Sequence, residues 1–386
     1  MLTRRTFLQS STLLALTPTV PLFLARSAKA AADKNGRVLV VVQLDGGNDA
    51  LNTAVPIGNP AYEKLRPRLR IEKKDLVKLS DTVGLHPSLK PFDKLIEAGQ
   101  LATMVGVGYP NPNRSHFESM AIWNTASLNP DAGDYGWIGR ALDPKAATAY
   151  AIGNAAPRAL RGRRTVAVTM NRLEDVTLSN PDALNGAVEA TQAEDLQAFV
   201  RRQAVDARTT ADRLTKLAAT EGPAYPSTTL GEHLKLTARL LKADLGARVF
   251  YTQQGGFDTH ASQRFVHTNL LNEFSRAVSA FFEDLQSAKL AERVTLLAFS
   301  EFGRTIREND SAGTDHGTAG VSFLVGPAVR GGVHGTMPSL TDLAAGEPKM
   351  TTDFRRIYAS VLTNWLDLPA ADVLKGTFEP LQLFRS

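Results

Sequence analysis

The sequence predicts an α/β protein: a three-layer α/β/α sandwich around a mostly parallel sheet, with a helical insertion. Three observations carry this. Short continuous apolar runs recur along the chain, stretches of helical period separate them, and loops rich in Asp, His and Gly follow several of the runs. Buried strands alternating with amphipathic helices favour a parallel sheet covered on both faces. In such folds the polar loops beyond the carboxyl ends of the strands are where ligands bind.

The apolar runs are Val38 to Leu44, Leu101 to Val107, Thr165 to Thr169, Arg248 to Thr252, Val294 to Ser300 and Val321 to Val325. Helical period is clearest at Leu271, Phe274, Val278, Phe281, Phe282 and Leu285. It recurs at Phe354, Ile357, Tyr358, Val361, Leu362, Trp365 and Leu366, with Thr352 as a cap. Residues 182–245 are rich in Ala, Gln, Arg and Lys and read as a helical insertion or cap within one domain spanning 31–386.

The first 30 residues read as an export leader. Arg4-Arg5-Thr6-Phe7-Leu8 is a twin-arginine core, Ser10 to Leu24 is a short apolar stretch diluted by Thr and Pro, and Ala28-Lys29-Ala30 is a small-x-small cleavage pattern. The expected partner is therefore the twin-arginine translocation machinery, and the expected location the periplasm or cell exterior. Arg4, Arg5, Arg26 and Lys29 supply four of the five net positive charges, so the remainder is within one charge of neutrality. That gives no electrostatic case for nucleic acid. The chain of 386 residues has no apolar run long enough for a stable membrane span in the mature form. It has no cysteine, which removes thiolate metal sites and thiol nucleophiles. Any metal must be held by His, Asp, Glu or a hydroxyl oxygen.

Chemistry-bearing residues gather in the loops. Asp45 follows the first strand, as a metal carboxylate or as a turn former; Asp49 reads as a helix cap. Asp258 and His260 sit at i and i+2, so extended backbone points both to one side. They suit zinc or manganese, or else form a turn aspartate and a core histidine. Asp315-His316-Gly317 offers another ligand pair, or a salt-bridged surface loop. Ser115 opens a helix through Phe117, Met120 and Trp123, as an N-cap or as a nucleophile steadied by free N–H groups. His116 beside it is a ligand, a general acid or a capping residue. Glu301 and Arg304 end the strongest late strand, as metal ligand and anion holder or as a mutual ion pair.

The motifs Gln43-Leu44-Asp45-Gly46-Gly47-Asn48-Asp49, Asn113-Arg114-Ser115-His116-Phe117, Gly256-Phe257-Asp258-Thr259-His260, Ser300-Glu301-Phe302-Gly303-Arg304 and Thr314-Asp315-His316-Gly317 resemble the alkaline phosphatase-like superfamily. They resemble most closely its twin-arginine-exported bacterial family known as domain of unknown function 1501. The resemblance implies a paired-metal hydrolytic site. Asp45, Ser115, Asp315 and His316 would hold one ion, and Asp258, His260 and His334 the other. Glu301 also stands where the superfamily has an aspartate, so Glu301 or Asp315-His316 completes the set. The expected activity is hydrolysis of a small anionic phosphate or sulfate ester, with Ser115 attacking and Arg304 or Arg114 steadying the anion. The alternative is a catalytically silent envelope protein that binds an anionic glycan or serves assembly.

Overall fold

The computed structural model describes residues 36–172 and 222–385 apart from Ala132, Ala146 and Leu245. The leader and most of the 182–245 region lie outside the described residues.

The strands Val38–Leu44 (β1), Leu101–Gly108 (β2), Thr148–Ile152 (β3), Val166–Met170 (β4), Val249–Gln254 (β5), Val294–Phe299 (β6), Gly320–Val325 (β7), Gly332–His334 (β8) and Thr352–Asp353 (β9) form one nine-stranded sheet. Its order is β8-β2-β7-β6-β1-β5-β3-β4, with β9 also paired to β2. Every pairing is parallel except those of β7, which runs antiparallel to both β2 and β6. β1 lies between β5 and β6 and is buried along its whole length, which is why it is apolar except at Gln43, whose side chain bonds to Tyr251 and Asp45.

The pleat of β1 divides the core. Val38, Val40, Val42 and Leu44 join one apolar cluster, and Leu39 and Val41 the other. The second cluster is closed by helices His116–Thr125 (α1), Trp137–Leu142 (α2) and Phe354–Ser360 (α5). Thr229–Lys242 (α3) and Gln263–Ser287 (α4) cover the opposite face, and α3 packs on α4 and on β5. The three layers are thus those the sequence predicts. α3, at the described end of the 182–245 region, is a member of a covering layer.

The α4 stripe from Leu271 to Leu285 is buried at every position that the periodicity picks out, and so is the stripe from Phe354 to Leu366. Each buried Leu or Phe contributes roughly 1.5–3 kcal/mol. The cap of α5 is Asp353, whose carboxylate accepts the Arg355 N–H, not Thr352, whose hydroxyl donates to the Val105 carbonyl inside the sheet. β3 was not read from the sequence. Its Thr-Ala-Tyr-Ala-Ile segment is short and interrupted by two alanines, so it makes no continuous β-branched run, and it is held as a strand by pairing to β4 and β5 on both sides. In α1 the buried residues are Ser119, Ile122, Trp123, Asn124 and Thr125; Trp123 of the expected stripe is among them, but Phe117 faces outward.

Candidate metal centre

Loops leaving the carboxyl ends of β1, β2, β5 and β6 meet at one edge of the sheet. The approach is close enough to need glycine. Gly46 has φ +116°, and a Cβ there would come within 2.4 Å of the Asp258 backbone nitrogen. Arg304 holds the loops together. Its guanidinium is buried and donates to the carbonyls of Gly47 (2.7 Å), Thr314 (3.0 Å), Phe257 (2.9 Å) and Gly46, and to Asp258 Oδ1 (2.6 Å).

Three histidines converge on Asp258. His260 Nε2 and His316 Nε2 each lie 3.0 Å from Asp258 Oδ1, and His116 Nε2 lies 3.5 Å from Oδ2. His260 Nε2 and His316 Nε2 are 3.0 Å apart. Each imidazole is held from behind through Nδ1. His116 Nδ1 meets Glu301 Oε1 at 2.7 Å, His260 Nδ1 meets Asp315 Oδ1 at 3.0 Å, and His316 Nδ1 meets the Arg114 carbonyl at 2.8 Å. Carboxylates and carbonyls only accept, so each Nδ1 carries a proton, and in that tautomer a neutral ring turns an Nε2 lone pair toward Asp258. The Phe302 ring packs against the imidazoles of both His116 and His316, at 4.9 and 4.8 Å between centroids.

Lone pairs facing a carboxylate at 3.0 Å repel unless a cation lies among them. One shared proton satisfies one such contact. His116 Nε2 is buried and has no hydrogen-bond partner, so a proton between the other two rings leaves it unanswered. A divalent ion would answer the facing lone pairs and the carboxylate together. The ligand atoms of His116, Asp258 and His316 lie within 4.8 Å of one another, a group that could hold such an ion. A carboxylate or carbonyl on the far nitrogen of each imidazole is the arrangement that orients histidine ligands. The donor set fits a divalent cation.

The electrostatics follow. Burial opposes the Asp258 charge, but the Arg304 guanidinium, by its hydrogen bond and by its charge, outweighs it and holds the carboxyl at about 2. The hydrogen bond from His260 lowers Asp315 below the usual carboxylate range.

Of the residues singled out from the sequence, Asp258, His260, Asp315, His316, His116, Glu301 and Arg304 meet at this centre, with several roles changed. Glu301 and Asp315 stand behind the rings as orienting acceptors. Arg304 is saturated by loop oxygens and Asp258 and has no face to offer an anion. Asp45 lies beside the centre, its amide bonded to the Gln254 carbonyl and its own carbonyl accepting the Phe257 N–H. Its carboxylate takes a hydrogen bond from Gln43 instead of joining the histidines. His334 is not part of the centre. It sits in edge strand β8, with Nε2 bonded to the Arg330 carbonyl. Ser115 immediately precedes α1, but its side chain makes no capping bond, and among the described residues no hydroxyl hydrogen-bonds to the three histidines or Asp258. Asp49 caps the helix Ala50–Thr53 and pairs with fully buried Arg66 at 2.5 Å. The role of Arg114 went unread because it is the backbone carbonyl that holds His316, and side-chain chemistry gives no signal for that.

The family described as "Protein of unknown function (DUF1501)" matches residues 37–366. No curated protein is matched by this chain. Among solved structures, the chain is similar to the zinc complex of the C-terminal periplasmic domain of EcEptC from Escherichia coli, at 9% identity over 75% of this chain and 73% of that one, TM-score 0.38. It is similar to PsFucS1 sulfatase from Pseudoalteromonas sp., at 11% identity over 92% and 74%, TM-score 0.38. It is also similar to alkaline phosphatase from the Antarctic bacterium TAB5, at 11% identity over 76% and 92%, TM-score 0.31.

Proposed function

We propose that this chain, which belongs to the family of unknown function DUF1501, is an exported hydrolase of phosphate or sulfate esters that uses a divalent cation. The observation that carries the reading is the convergence of three Nε2 lone pairs on Asp258, each ring fixed through Nδ1. His116, Asp258, His260 and His316 would hold the ion, with zinc or manganese suited to that donor set. Such an ion supplies Lewis acidity toward an ester oxygen and lowers the pKa of water. The chain's own residues do the rest. Glu301, Asp315 and the Arg114 carbonyl orient the imidazoles, Arg304 sets Asp258, and the exposed Arg114 side chain stands beside the centre as the cation for the ester anion.

One observation favours a second reading, a protein that binds an anion at the same centre without turning it over. Ser115 Oγ makes no bond to the cluster and Arg304 is fully engaged, so two of the expected catalytic groups are not deployed. Elemental analysis of the purified chain, followed by turnover of an aryl phosphate and an aryl sulfate, separates the readings. Bound metal with metal-dependent turnover supports the hydrolase. Bound metal with anion binding and no turnover supports the second reading, and no bound metal overturns both.

Export is proposed from the leader alone. Arg4-Arg5-Thr6-Phe7-Leu8 ahead of Ala28-Lys29-Ala30 supports passage through the twin-arginine machinery and cleavage after Ala30. Replacing Arg4 and Arg5 together by Lys should retain the protein in the cytoplasm, and unimpaired export of that variant would refute the route.

A further inference from the structure

Phe117 is 88% exposed and Phe265 is 74% exposed, the two largest exposures among the bulky apolar side chains of the described residues. Both lie next to the metal centre in sequence and in the fold. Phe117 directly follows His116 in the first turn of α1, and Phe265 is the third residue of α4, whose helix begins three residues after His260. α1 follows β2 and α4 follows β5, so both helices start at the carboxyl edge where the histidines meet. They belong to opposite layers, since α1 packs in one apolar cluster and α4 in the other. The two phenylalanines are therefore carried by helices on opposite faces of the sheet that both start at this edge, and Val266 is a further exposed apolar residue beside Phe265.

The same rim is cationic. Arg114, Arg264 and Arg307 are exposed, and none makes a side-chain hydrogen bond or ion pair among the described residues. Arg114 is two residues before His116, Arg264 adjoins Phe265, and Arg307 lies in the loop between Arg304 and Asp315. Exposed aromatics gathered at one site, unlike single scattered ones, mark a binding surface. Arg114 has Glu347 within electrostatic reach, and an apolar protein partner would cover the phenylalanines and leave Arg264 and Arg307 without a counter-charge. A ligand with an anionic head and an apolar body satisfies both.

From this we infer that the ester bound at the centre is amphiphilic, with its anionic head at the metal centre and Arg114 and its apolar alcohol group against Phe117 and Phe265. The inference rests on the ester-binding reading above and names the substrate class for that site.

Calorimetric titration of the zinc-loaded full chain with methyl phosphate and with octyl phosphate below its micelle-forming concentration tests it. Octyl phosphate should bind at least about tenfold more tightly, because its chain leaves water on the aromatic rim. In the double variant F117Q/F265Q, both positions being exposed, folding and zinc content should be kept and the ratio of the two affinities should fall toward one. Equal binding of the two phosphates by the unaltered chain overturns the amphiphile inference alone, as does a ratio that survives in the folded double variant. Binding of neither phosphate overturns the ester-binding reading and the inference together.

Discussion

His260 and His316 place their Nε2 atoms 3.0 Å apart, while the Nδ1 of one is held by Asp315 and that of the other by the Arg114 carbonyl. Two neutral rings fixed this way cannot hydrogen-bond to each other, because both present lone pairs. A proton shared between the rings, or a cation among them and Asp258, relieves the contact.

Where a cation relieves it, chelation should destabilise the protein. Ion binding to the native state adds RT ln(1 + [L]/Kd), roughly 2.7 kcal/mol at a hundredfold excess over Kd. Melting with and without chelator, on the unaltered chain and on H260A/H316A, checks this. The variant should hold less metal and show no shift with chelator.

Glu301 acts on the centre through His116. In E301A the acceptor behind His116 Nδ1 is lost, so the proton is free to move to Nε2, which removes that lone pair from the ion. Metal affinity should fall about 10–100-fold. Competition against a chromogenic chelator measures it, and unchanged affinity would show that Glu301 does not orient the ring.

Arg304 gathers four loop carbonyls and one carboxylate oxygen into a single buried group. R304M should cost roughly 3–5 kcal/mol of stability, as for removal of one partner from a buried ionic network. It should also loosen metal binding, since Asp258 and Gly46 lose their common anchor. Denaturant unfolding followed by elemental analysis reads both effects.

Ser115 shows the opposite behaviour. Its hydroxyl caps nothing, so S115A should change stability by less than about 0.5 kcal/mol. Turnover should be retained, because no bond links this hydroxyl to the histidines. Loss of activity in a stable S115A protein would restore the nucleophile reading.

Acid should destabilise the fold well above the carboxylate range. Burial holds His86 down at about 3, with the His267 charge adding to the effect. Burial likewise holds His267 at about 4, against the opposing pull of Asp49. Both stay neutral in the native state while the unfolded chain takes up protons near 6.5, so the unfolded state binds more protons as pH falls. The stability they contribute is complete above about 6.5 and is lost as pH drops toward about 4, at up to about 1.4 kcal/mol per unit for each histidine. Urea unfolding at several pH values should show this slope, and H86Q/H267N should flatten it.

Much of this molecule could be read from residues in order. The run Val38 to Leu44 reads as a doubly buried strand, because five apolar residues stand in unbroken succession from Val38 to Val42 and Gln43 is its only polar member. The stripes Leu271 to Leu285 and Phe354 to Leu366 had to be helices packed on one face, because only that period brings them together. The loops holding Asp258, His260, Asp315 and His316 could be placed at the functional edge for the same reason, each following a strand-like run.

The roles within that edge were decided by the tertiary structure. Local spacing indicates which residue types are near one another in the chain, but not which nitrogen of an imidazole faces inward. That depends on the acceptor behind the ring, which comes from another loop: Glu301 for His116, Asp315 for His260, the Arg114 backbone for His316. Arg304 reads as an anion binder until the carbonyls of residues 46, 47, 257 and 314 close around it. His334 is chemically as good a ligand as the others, and only strand order, which puts β8 at the far edge of the sheet, removes it from the centre. The alternation of apolar and polar residues determines the layers of this protein. The assignment of ligand, orienting group and anchor comes from groups meeting across separations such as 46 residues for Asp258 and Arg304 and 202 for Arg114 and His316, where each polar atom must find its partner before it leaves water.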